Sequence, residues 1–437
     1  MTLESRVLTT LMPWRAAPAW RVALSGGLDS TVLLHLLASL AQREVLPPLS
    51  AIHIHHGLQA AAAAWPTHCR RLCEELGVPL RVESVQVVPG ASLERVARDA
   101  RYAAFAAALG AGEVLLLAQH RDDQAETLLF RLLRGAGVRG LAAMPAHRAL
   151  GTGQLLRPLL SCSRAELHAY AVAHRLTWVE DPSNADCRFS RNYLRRQVLP
   201  LLAARWPRAA ASIGRSAEHL REAAQLLDEL AQQDLAAADE PPPLPWLALP
   251  SLRLAPLRSL SEARQRNALR YWLRELTAMP DSEHWVGWRT LRDAAGDAVP
   301  VWRLDRGEVS RADERLWWLS GDWLRTPATP TARPGSGRSI ELPGNGCVQI
   351  DGQLPAGSWR LAYRQGGERM QLPGRGHRDL KRLLNERRVP AFVRGRLPLL
   401  WCGDEVRAVA NLPGLDGPVD QQWRVRWQPP MNDRGLS

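Results

Sequence analysis

Apolar runs of strand length alternate with helical patterns through the first 135 residues, and this alternation is the strongest constraint on the fold. Two parallel strands cannot be joined by a tight turn, so each connection crosses over, usually through a helix. The alternation therefore predicts a doubly wound parallel sheet with helices on both faces and ligands at the carboxyl ends of the strands. The predicted strands are 20–24, 49–55, 79–87 and 113–119, and the predicted helices include 31–42, 92–109 and 122–135.

The pattern changes near residue 211, which we take as the end of this first domain. A long polar helical pattern covers 211–237, and a turn-rich stretch at 326–339 is typical of a flexible linker. Short β-like runs with frequent Gly and Pro follow the linker. We therefore predict three domains, which are an α/β domain (1–210), a mostly helical middle domain (211–325) and a small α/β C-terminal domain (339–437).

The chain is strongly basic, since 56 Lys and Arg stand against 44 Asp and Glu and give a net charge of +12. Lys381 is the only lysine, so a bias toward arginine codons contributes. That bias explains why arginine replaces lysine, but it does not explain the excess over acids. The excess favours contact with a polyanion such as nucleic acid.

Cysteine usage and hydropathy indicate the compartment. The six cysteines are scattered and include no Cys-x-x-Cys pair, so a disulfide framework or a zinc ribbon is not expected. No apolar run approaches the roughly 20 residues of a membrane helix, and the N-terminus shows no secretory signal. The expected location is the cytoplasm, without a membrane partner.

The most informative motif is Ser25-Gly26-Gly27-Leu28-Asp29-Ser30, between a predicted strand and a helix. Two glycines let backbone N–H groups approach an anion, and a helix N-terminus favours phosphate. The motif matches neither the G-x-x-x-x-G-K-[ST] pattern of P-loop nucleotide sites nor the G-x-G-x-x-G pattern of dinucleotide sites. The alternative is an ordinary turn in which Asp29 or Ser30 caps the helix.

A second cluster follows the strand at 113–119. Asp122 and Glu126 are four residues apart on one predicted helix face, with Asp123 beside them. Such a face suits Mg²⁺ or an ammonium group, although acids in a first helical turn also stabilise the helix dipole. Three histidines, His53, His55 and His56, suggest the wall of a nucleotide pocket more than a zinc site, because adjacent strand residues point to opposite faces.

Taken together, the motifs resemble the bacterial tRNA(Ile)-lysidine synthetases. S-G-G-L-D-S alone resembles the phosphate-binding loop of the whole N-type ATP pyrophosphatase (PP-loop) superfamily. The narrower resemblance is carried by H-I-H-H-G-L, E-R-V-A-R-D-A-R-Y, H-R-D-D-Q-A-E-T, R-G-A-G-V-R-G-L, R-P-L-L, D-P-S-N and R-N-Y-L-R, and by Y-R-Q-G-G-E-R at 363–369. It is loose over about 212–330 and departs from the family at Gln119, where a histidine is expected, and at Arg121.

The resemblance implies ATP-dependent ligation of free lysine to carbon 2 of the wobble cytidine in the CAU anticodon of a minor isoleucine tRNA. ATP first adenylates the cytidine, and the lysine amine then displaces AMP to give lysidine, which changes the tRNA from methionine to isoleucine identity. It also implies ATP binding by Ser25, Gly26, Gly27, Leu28, Asp29 and Ser30, Mg²⁺ at Asp29, and catalytic or lysine-binding roles for Asp122, Asp123 and Glu126.

Candidate tRNA contacts are the arginines near these motifs and a basic set in the C-terminal domain, which in the family recognises the acceptor stem. They are Arg98, Arg131, Arg134, Arg191 and Arg195, then Arg364, Arg369 and Lys381. The sequence leaves open whether the enzyme is a monomer or a homodimer.

Two other functions compete with this interpretation. A tRNA thiolation enzyme would share the nucleotide-binding fold, but many such enzymes use cysteine pairs that this chain lacks. An RNA-binding protein with an inactive nucleotide fold would suit the charge, but it would not need both the intact Ser25–Ser30 loop and the acidic cluster.

Overall fold

The computed structural model describes residues 2–55, 57, 64–86, 93–279, 283–295, 298–330, 334, 339–372, 376–418, 420 and 422–432. The chain divides into two compact units, Met1–Gln225 and Leu226–Ser437. The predicted limits of three domains stay a prediction. No helix in the described parts of the chain is long and apolar enough to cross a membrane.

The first unit is built on a six-stranded sheet in the order β3-β2-β1-β4-β6-β5, which confirms the doubly wound α/β prediction. Its strands are β1 (Trp20–Ala23), β2 (Leu49–His55), β3 (Leu80–Ser84), β4 (Val114–Leu116), β5 (His147–Leu150) and β6 (Gly153–Leu156). All pairs are parallel except β5 with β6 at the edge. The β5–β6 hairpin was not predicted, although its Gly-Thr-Gly turn is visible in the sequence.

Helices pack on both faces of this sheet. The helices of the unit are α1 (Leu3–Leu11), α2 (Leu28–Ala41), α3 (Trp65–Glu75), α4 (Leu93–Ala108), α5 (Arg121–Leu132), α6 (Val138–Leu141), α7 (Arg164–Ala173), α8 (Ser190–Tyr193) and α9 (Leu199–Arg205). A π-helical turn, Leu194–Val198, separates the last two. Helix α10 (Ala209–Ala236) begins in this unit and ends in the next, close to the predicted helix at 211–237.

The helix α2 is buried almost all round. Leu33, Leu34, Leu36 and Leu37 are fully buried, and the helix packs against β1 on one side and α7 on the other. A helix that is apolar on every face is stable only in such a sandwich. Its N-terminus is thereby held at the carboxyl end of β1.

The second unit combines helices with three sheets. Its helices are α11 (Leu254–Arg258), α12 (Glu262–Leu273), α13 (Trp285–Asp293), α14 (Leu380–Glu386) and α15 (Ala391–Arg394). Strands β7 (Ser251–Arg253), β8 (Val301–Leu304), β9 (Gly307–Ala312) and β10 (Arg315–Leu319) form an antiparallel sheet beside the first three helices. The helical middle region is thus confirmed, and it also holds this unpredicted sheet.

Two further sheets form the C-terminal part. One contains β11 (Ser339–Glu341), β12 (Cys347–Gly352) and β18 (Trp423–Gln428), and the other contains β13 (Trp359–Ala362), β14 (Arg369–Leu372), β15 (Gly376–Asp379), β16 (Leu399–Cys402) and β17 (Glu405–Val409). Trp317 and Trp323 of the middle region share one apolar core with Val348, Leu400 and Trp427. Within the described residues, the two parts of this unit are therefore packed together.

Removing the side chain of Leu33 should destabilise the first unit strongly. Leu33→Ala leaves a cavity between α2 and the sheet, and we expect a loss of about 2–5 kcal/mol in the free energy of unfolding, measured by urea denaturation. Val45→Ala is the control, because Val45 is 93% exposed and its truncation should cost less than about 0.5 kcal/mol. Equal losses in the two variants would contradict this packing.

Candidate active site

Two loops leave the parallel sheet where its strand order reverses. Strands β1 and β4 are neighbours at the centre of the sheet. From β1 the sheet extends through β2 on one side, and from β4 it extends through β6 on the other side. Residues 24–27 join β1 to α2, and residues 117–120 join β4 to α5. A crevice at such a reversal is the usual ligand site of an open parallel sheet. The two strongest sequence motifs therefore face the same crevice.

The Ser25–Ser30 loop is fixed by hydrogen bonds within itself. The Ser30 hydroxyl accepts from the backbone N–H of Ser25 at 3.2 Å and donates to the carbonyl of Gly27 at 3.1 Å. The residue that precedes α2 as its N-cap is Gly27, not Asp29 or Ser30. The Ser25 hydroxyl lies 3.0 Å from the Ser30 hydroxyl and accepts from the N–H of Gly27, so both serines shape the loop. The free N–H groups at the start of a helix such as α2 favour an anion.

Gly26 has a positive φ of +85°, which a side chain would strain. A Cβ atom there would also lie 3.2 Å from the Cys69 sulfur. The carbonyl of Gly26 accepts from the backbone N–H of Val179 at 2.9 Å. The loop therefore requires glycine at this position for two reasons.

His53 contacts the residue that precedes the loop. Its Nδ1 lies 2.8 Å from the carbonyl of Leu24, one residue before the loop, and 3.5 Å from the Cys69 sulfur. Burial raises the pKa of the Cys69 thiol to about 12, so the thiol stays neutral. Among the described residues no group of three or more His, Cys, Asp or Glu is arranged to hold a metal ion, and His56 lies outside them.

A buried histidine joins the two loops. His120 is 1% exposed, and its Nε2 lies 3.6 Å from an Asp29 oxygen and 3.5 Å from an Asp123 oxygen. Its Nδ1 lies 3.6 Å from an Asp122 oxygen. Burial lowers the pKa of His120, but the surrounding carboxylates more than offset this and raise it to about 10. The imidazole is therefore a cation at neutral pH.

Arg195 binds the other side of the acidic cluster. Its guanidinium donates to Asp123 at 2.9 Å and to both Glu126 oxygens at 2.6 and 3.0 Å. It lies in the π-helical turn, a local irregularity that is frequent at functional sites. The structure thus places Arg195, expected as a tRNA contact, against the predicted catalytic acids.

The acids of the cluster differ in proton affinity. Burial raises the pKa of Glu126 more than Arg195 lowers it. Burial also acts to raise the pKa of Asp122, but His120 and the backbone N–H of Arg164 lower it overall. The four carboxylates of Asp29, Asp122, Asp123 and Glu126 lie near three cations, which are His120, Arg195 and, beside Asp122, Arg121. Negative charge is therefore in excess, and a further cation would be attracted.

Three of the predicted tRNA contacts lie close to one another. Burial lowers the pKa of Arg131, and the neighbouring charges of Arg191 and Arg98 lower it further, which places three cations close together. Arg131 also donates to the carbonyls of Gly140 and Ala143 at 2.8 and 2.9 Å, so it holds the adjacent loop as well. Arg134 is exposed and lies over the Phe130 ring.

Sequence reasoning named Arg98 but missed the group that it forms around Tyr102. The guanidinium carbons of Arg98 and Arg148 lie 4.9 and 5.1 Å from the centre of the Tyr102 ring. Arg157, which is 3% exposed, donates to the Gln119 side chain and to the carbonyl of Pro145. Gln119, the departure from the expected histidine, is therefore the partner of a buried arginine. The R-P-L-L motif was the available signal, but its partner lies in another loop.

The C-terminal candidates lie in the second unit. Arg364 forms an ion pair with the buried Glu368 at 3.2 Å, whereas Arg369 and Lys381 are exposed. Arg369 lies opposite Asp379 in the register of β14 and β15, and Lys381 is in the first turn of α14. The structure thus brings the exposed two near one sheet edge.

Family models match three parts of the chain. Residues 1–202 match a PP-loop domain, residues 252–317 a TilS substrate binding domain, and residues 359–427 a TilS substrate C-terminal domain.

Curated relatives match over nearly the whole length. The tRNA(Ile)-lysidine synthase of Pseudomonas fluorescens is 64% identical over 99% of this chain and 98% of the relative. The enzyme of the same name from Pseudomonas aeruginosa is 63% identical over 100% and 99%, and that of Coxiella burnetii 41% over 94% and 93%.

Among solved structures, the U34-tRNA thiolase NcsA from Methanococcus maripaludis is similar at 20% identity. Its TM-score is 0.42, and the match covers 50% of this chain and 78% of that chain. A similarity this distant carries no functional argument.

The charge on His120 can be tested through stability. Because its pKa is raised to about 10 from the usual 6.5, the stabilisation it adds is complete below about pH 6.5 and is lost as pH rises through 10. The difference in unfolding free energy between the wild type and His120→Gln should therefore be largest near pH 6 and shrink toward pH 10. His219→Gln, an exposed histidine on α10, is the control. If NMR shows that the His120 ring loses its proton near pH 6.5, the raised pKa is wrong.

Proposed function

We infer that this chain, which belongs to the tRNA(Ile)-lysidine synthase family, joins lysine to the wobble cytidine of a CAU-anticodon isoleucine tRNA at the expense of ATP. The observation that carries the inference is the match of at least 59% identity to four Pseudomonas enzymes of this name over essentially the full chain. Membership of the PP-loop family implies ATP use. We place the reaction in the cytoplasm, where bacterial tRNA is found.

In the first step, the oxygen on carbon 2 of the cytidine attacks the α-phosphorus of ATP and pyrophosphate leaves. The Ser25–Ser30 loop and the start of α2 would hold the phosphates through backbone N–H groups. The positive φ and tight packing of Gly26 support this role, because they keep the loop in one conformation before ATP binds. A preorganised anion site stabilises the charge that develops on the leaving pyrophosphate.

The same loop suits Mg²⁺. Asp29 Oδ1 is buried and has no hydrogen-bond partner among the residues that the structure describes, so it can accept a metal ion or a metal-bound water. Mg²⁺ usually takes only one or two protein carboxylates and completes its shell with phosphate oxygens and water. When bound, the ion would supply charge screening between the α-phosphate and the leaving group.

In the second step, the lysine ε-amine forms a bond to carbon 2 and AMP leaves with the oxygen. The excess negative charge of Asp122, Asp123 and Glu126 would attract the ammonium group. The amine must lose a proton before it attacks. Asp122, Asp123 and Glu126 are the carboxylates at hand to accept it.

The tRNA would be held by basic groups in both units. In the first unit Arg98, Arg131 and Arg191 lie close together, and Arg134, just after α5, is exposed. In the second unit Arg369 and Lys381 are exposed and Arg364 is half-buried. Phosphate contacts of this kind position a nucleic acid without reading its sequence. The wobble base must then be splayed out of its stack to reach the crevice.

Lysine incorporation tests the function directly. The full chain is mixed with labelled lysine, ATP, Mg²⁺ and a CAU-anticodon isoleucine tRNA transcript. We expect label that stays on the RNA after mild alkali, which would strip an aminoacyl ester, and no label when ATP or Mg²⁺ is omitted. The methionine tRNA with the same anticodon is the control and should remain unlabelled. ATP cleavage to AMP and pyrophosphate without labelled RNA would contradict lysidine synthesis.

Glu126→Gln should weaken the use of lysine selectively. Loss of the carboxylate removes attraction for the ammonium group, and we expect kcat/KM for lysine to fall about tenfold or more, while the KM for ATP changes little. Steady-state lysidine formation measures both constants. Glu218→Gln, an exposed residue on α10, is the matched control. An unchanged kcat/KM for lysine in a variant that still binds ATP would exclude this role.

A further inference from the structure

Helix α5 carries a buried amide on the side opposite its acids. Gln124 is 5% exposed, and Glu126 lies two residues further along the helix. Two residues correspond to about 200° around a helix with 3.6 residues per turn. Gln124 therefore faces away from the side on which Arg195 binds Asp123 and Glu126.

The Gln124 amide forms two hydrogen bonds with the backbone of one residue. Its nitrogen donates to the carbonyl of Met144, and its oxygen accepts from the backbone N–H of Met144, both at 2.8 Å. Hydrogen bonds are directional, so a reciprocal pair constrains orientation as well as distance. The pair therefore opposes rotation of α5 about its own axis.

Met144 belongs to the 142–146 segment, which joins α6 to β5 and is held by arginines from two other parts of the first unit. Arg221 of α10 donates to the carbonyl of Met144 at 3.1 Å. Arg157, which follows β6, donates to the carbonyl of Pro145 at 2.8 Å. The residue that Gln124 binds is thus itself fixed.

The backbone of the 142–146 segment also shows that its conformation is imposed. Ala143 has a positive φ of +52°, which is unfavourable for a residue with a Cβ atom. Such a conformation persists only where the surrounding structure determines it. Ala143 packs with Leu128 of α5 and Ala217 of α10 in one small apolar cluster. The segment therefore offers α5 a rigid point of attachment.

We propose that Gln124 is a positioning residue for lysine transfer, because it fixes the rotation of α5 and so keeps Asp123 and Glu126 directed at the crevice. The inference rests on the proposed function for the identity of this step. The Ser25–Ser30 loop is fixed by its own hydrogen bonds. Gln124 therefore matters more for the second step than for the adenylation that precedes it.

Gln124→Met tests this division. The variant keeps most of the side-chain volume but removes both hydrogen bonds to Met144. Small displacements of groups that hold a substrate reduce rates strongly, so we expect kcat/KM for lysine to fall about tenfold or more. The KM for ATP, and pyrophosphate release with tRNA before lysine is added, should stay within about twofold of the wild type.

Two control variants separate the hydrogen bonds from packing and from side-chain chemistry. Met144→Leu keeps an apolar side chain and leaves the backbone groups that bind Gln124 unchanged. Gln225→Met makes the same replacement at an exposed position on α10. Both variants should retain the lysine kinetics of the wild type.

A second pair of variants reaches the same carbonyl from another helix. Arg221→Met removes the α10 donor to Met144, whereas Arg215→Met removes an exposed charge from the same helix. We expect kcat/KM for lysine to fall in Arg221→Met, by less than in Gln124→Met because the Gln124 bonds remain. Arg215→Met should match the wild type. This pair tests the inference even if Gln124→Met does not fold.

Amide hydrogen exchange checks the contact without any reaction. The Met144 N–H should exchange at least about tenfold faster in Gln124→Met than in the wild type, because it loses its acceptor.

Two outcomes would overturn the inference. One is unchanged kcat/KM for lysine in a folded Gln124→Met, or in Arg221→Met relative to Arg215→Met. The other is an equal loss of both steps, which would indicate a merely structural role. Failure of the proposed function is separate, since it would appear as a wild type that makes no lysidine.

Discussion

The candidate active site depends on one buried cation. His120 lies at the end of the loop after β4, and its ring faces carboxylates from both loops that leave the centre of the sheet. Asp29, Asp122 and Asp123 are partly buried, and their like charges repel one another unless a positive charge lies between them. Because its pKa is raised to about 10, His120 supplies that charge throughout the physiological range. His120 thereby links the Ser25–Ser30 loop to the start of α5.

Arg195 completes the arrangement from a distant part of the chain. It neutralises part of the charge on Asp123 and Glu126, and it enters the crevice from a π-helical turn. The cluster still carries more negative than positive charge, which suits a metal ion and an ammonium group. The chain as a whole is strongly basic, with a net charge of +12. A polyanion is thus attracted to the molecule, while the acidic cluster attracts cations.

Much of the site could be predicted from sequence because its parts are local. The Ser25–Ser30 loop and the acids at 122–126 each follow an apolar strand, and the carboxyl ends of parallel strands meet at one edge of a sheet. The partners of these groups could not be predicted. Arg195 is 69 residues from Glu126 along the chain, and Gln119 is 38 residues from Arg157. No periodic pattern links positions so far apart.

The sequence by itself determined the parallel sheet, the positions of the Ser25–Ser30 loop and the acidic cluster, and the family to which the chain belongs. It did so because apolar periodicity and glycine placement act over a few residues. Only the tertiary structure decided the charge state of His120, the pairing of Arg195 with the acids and the sharing of one core by the middle and C-terminal parts. Those properties depend on burial and on distances of a few ångströms between residues far apart in the chain, and both arise only when the chain has folded.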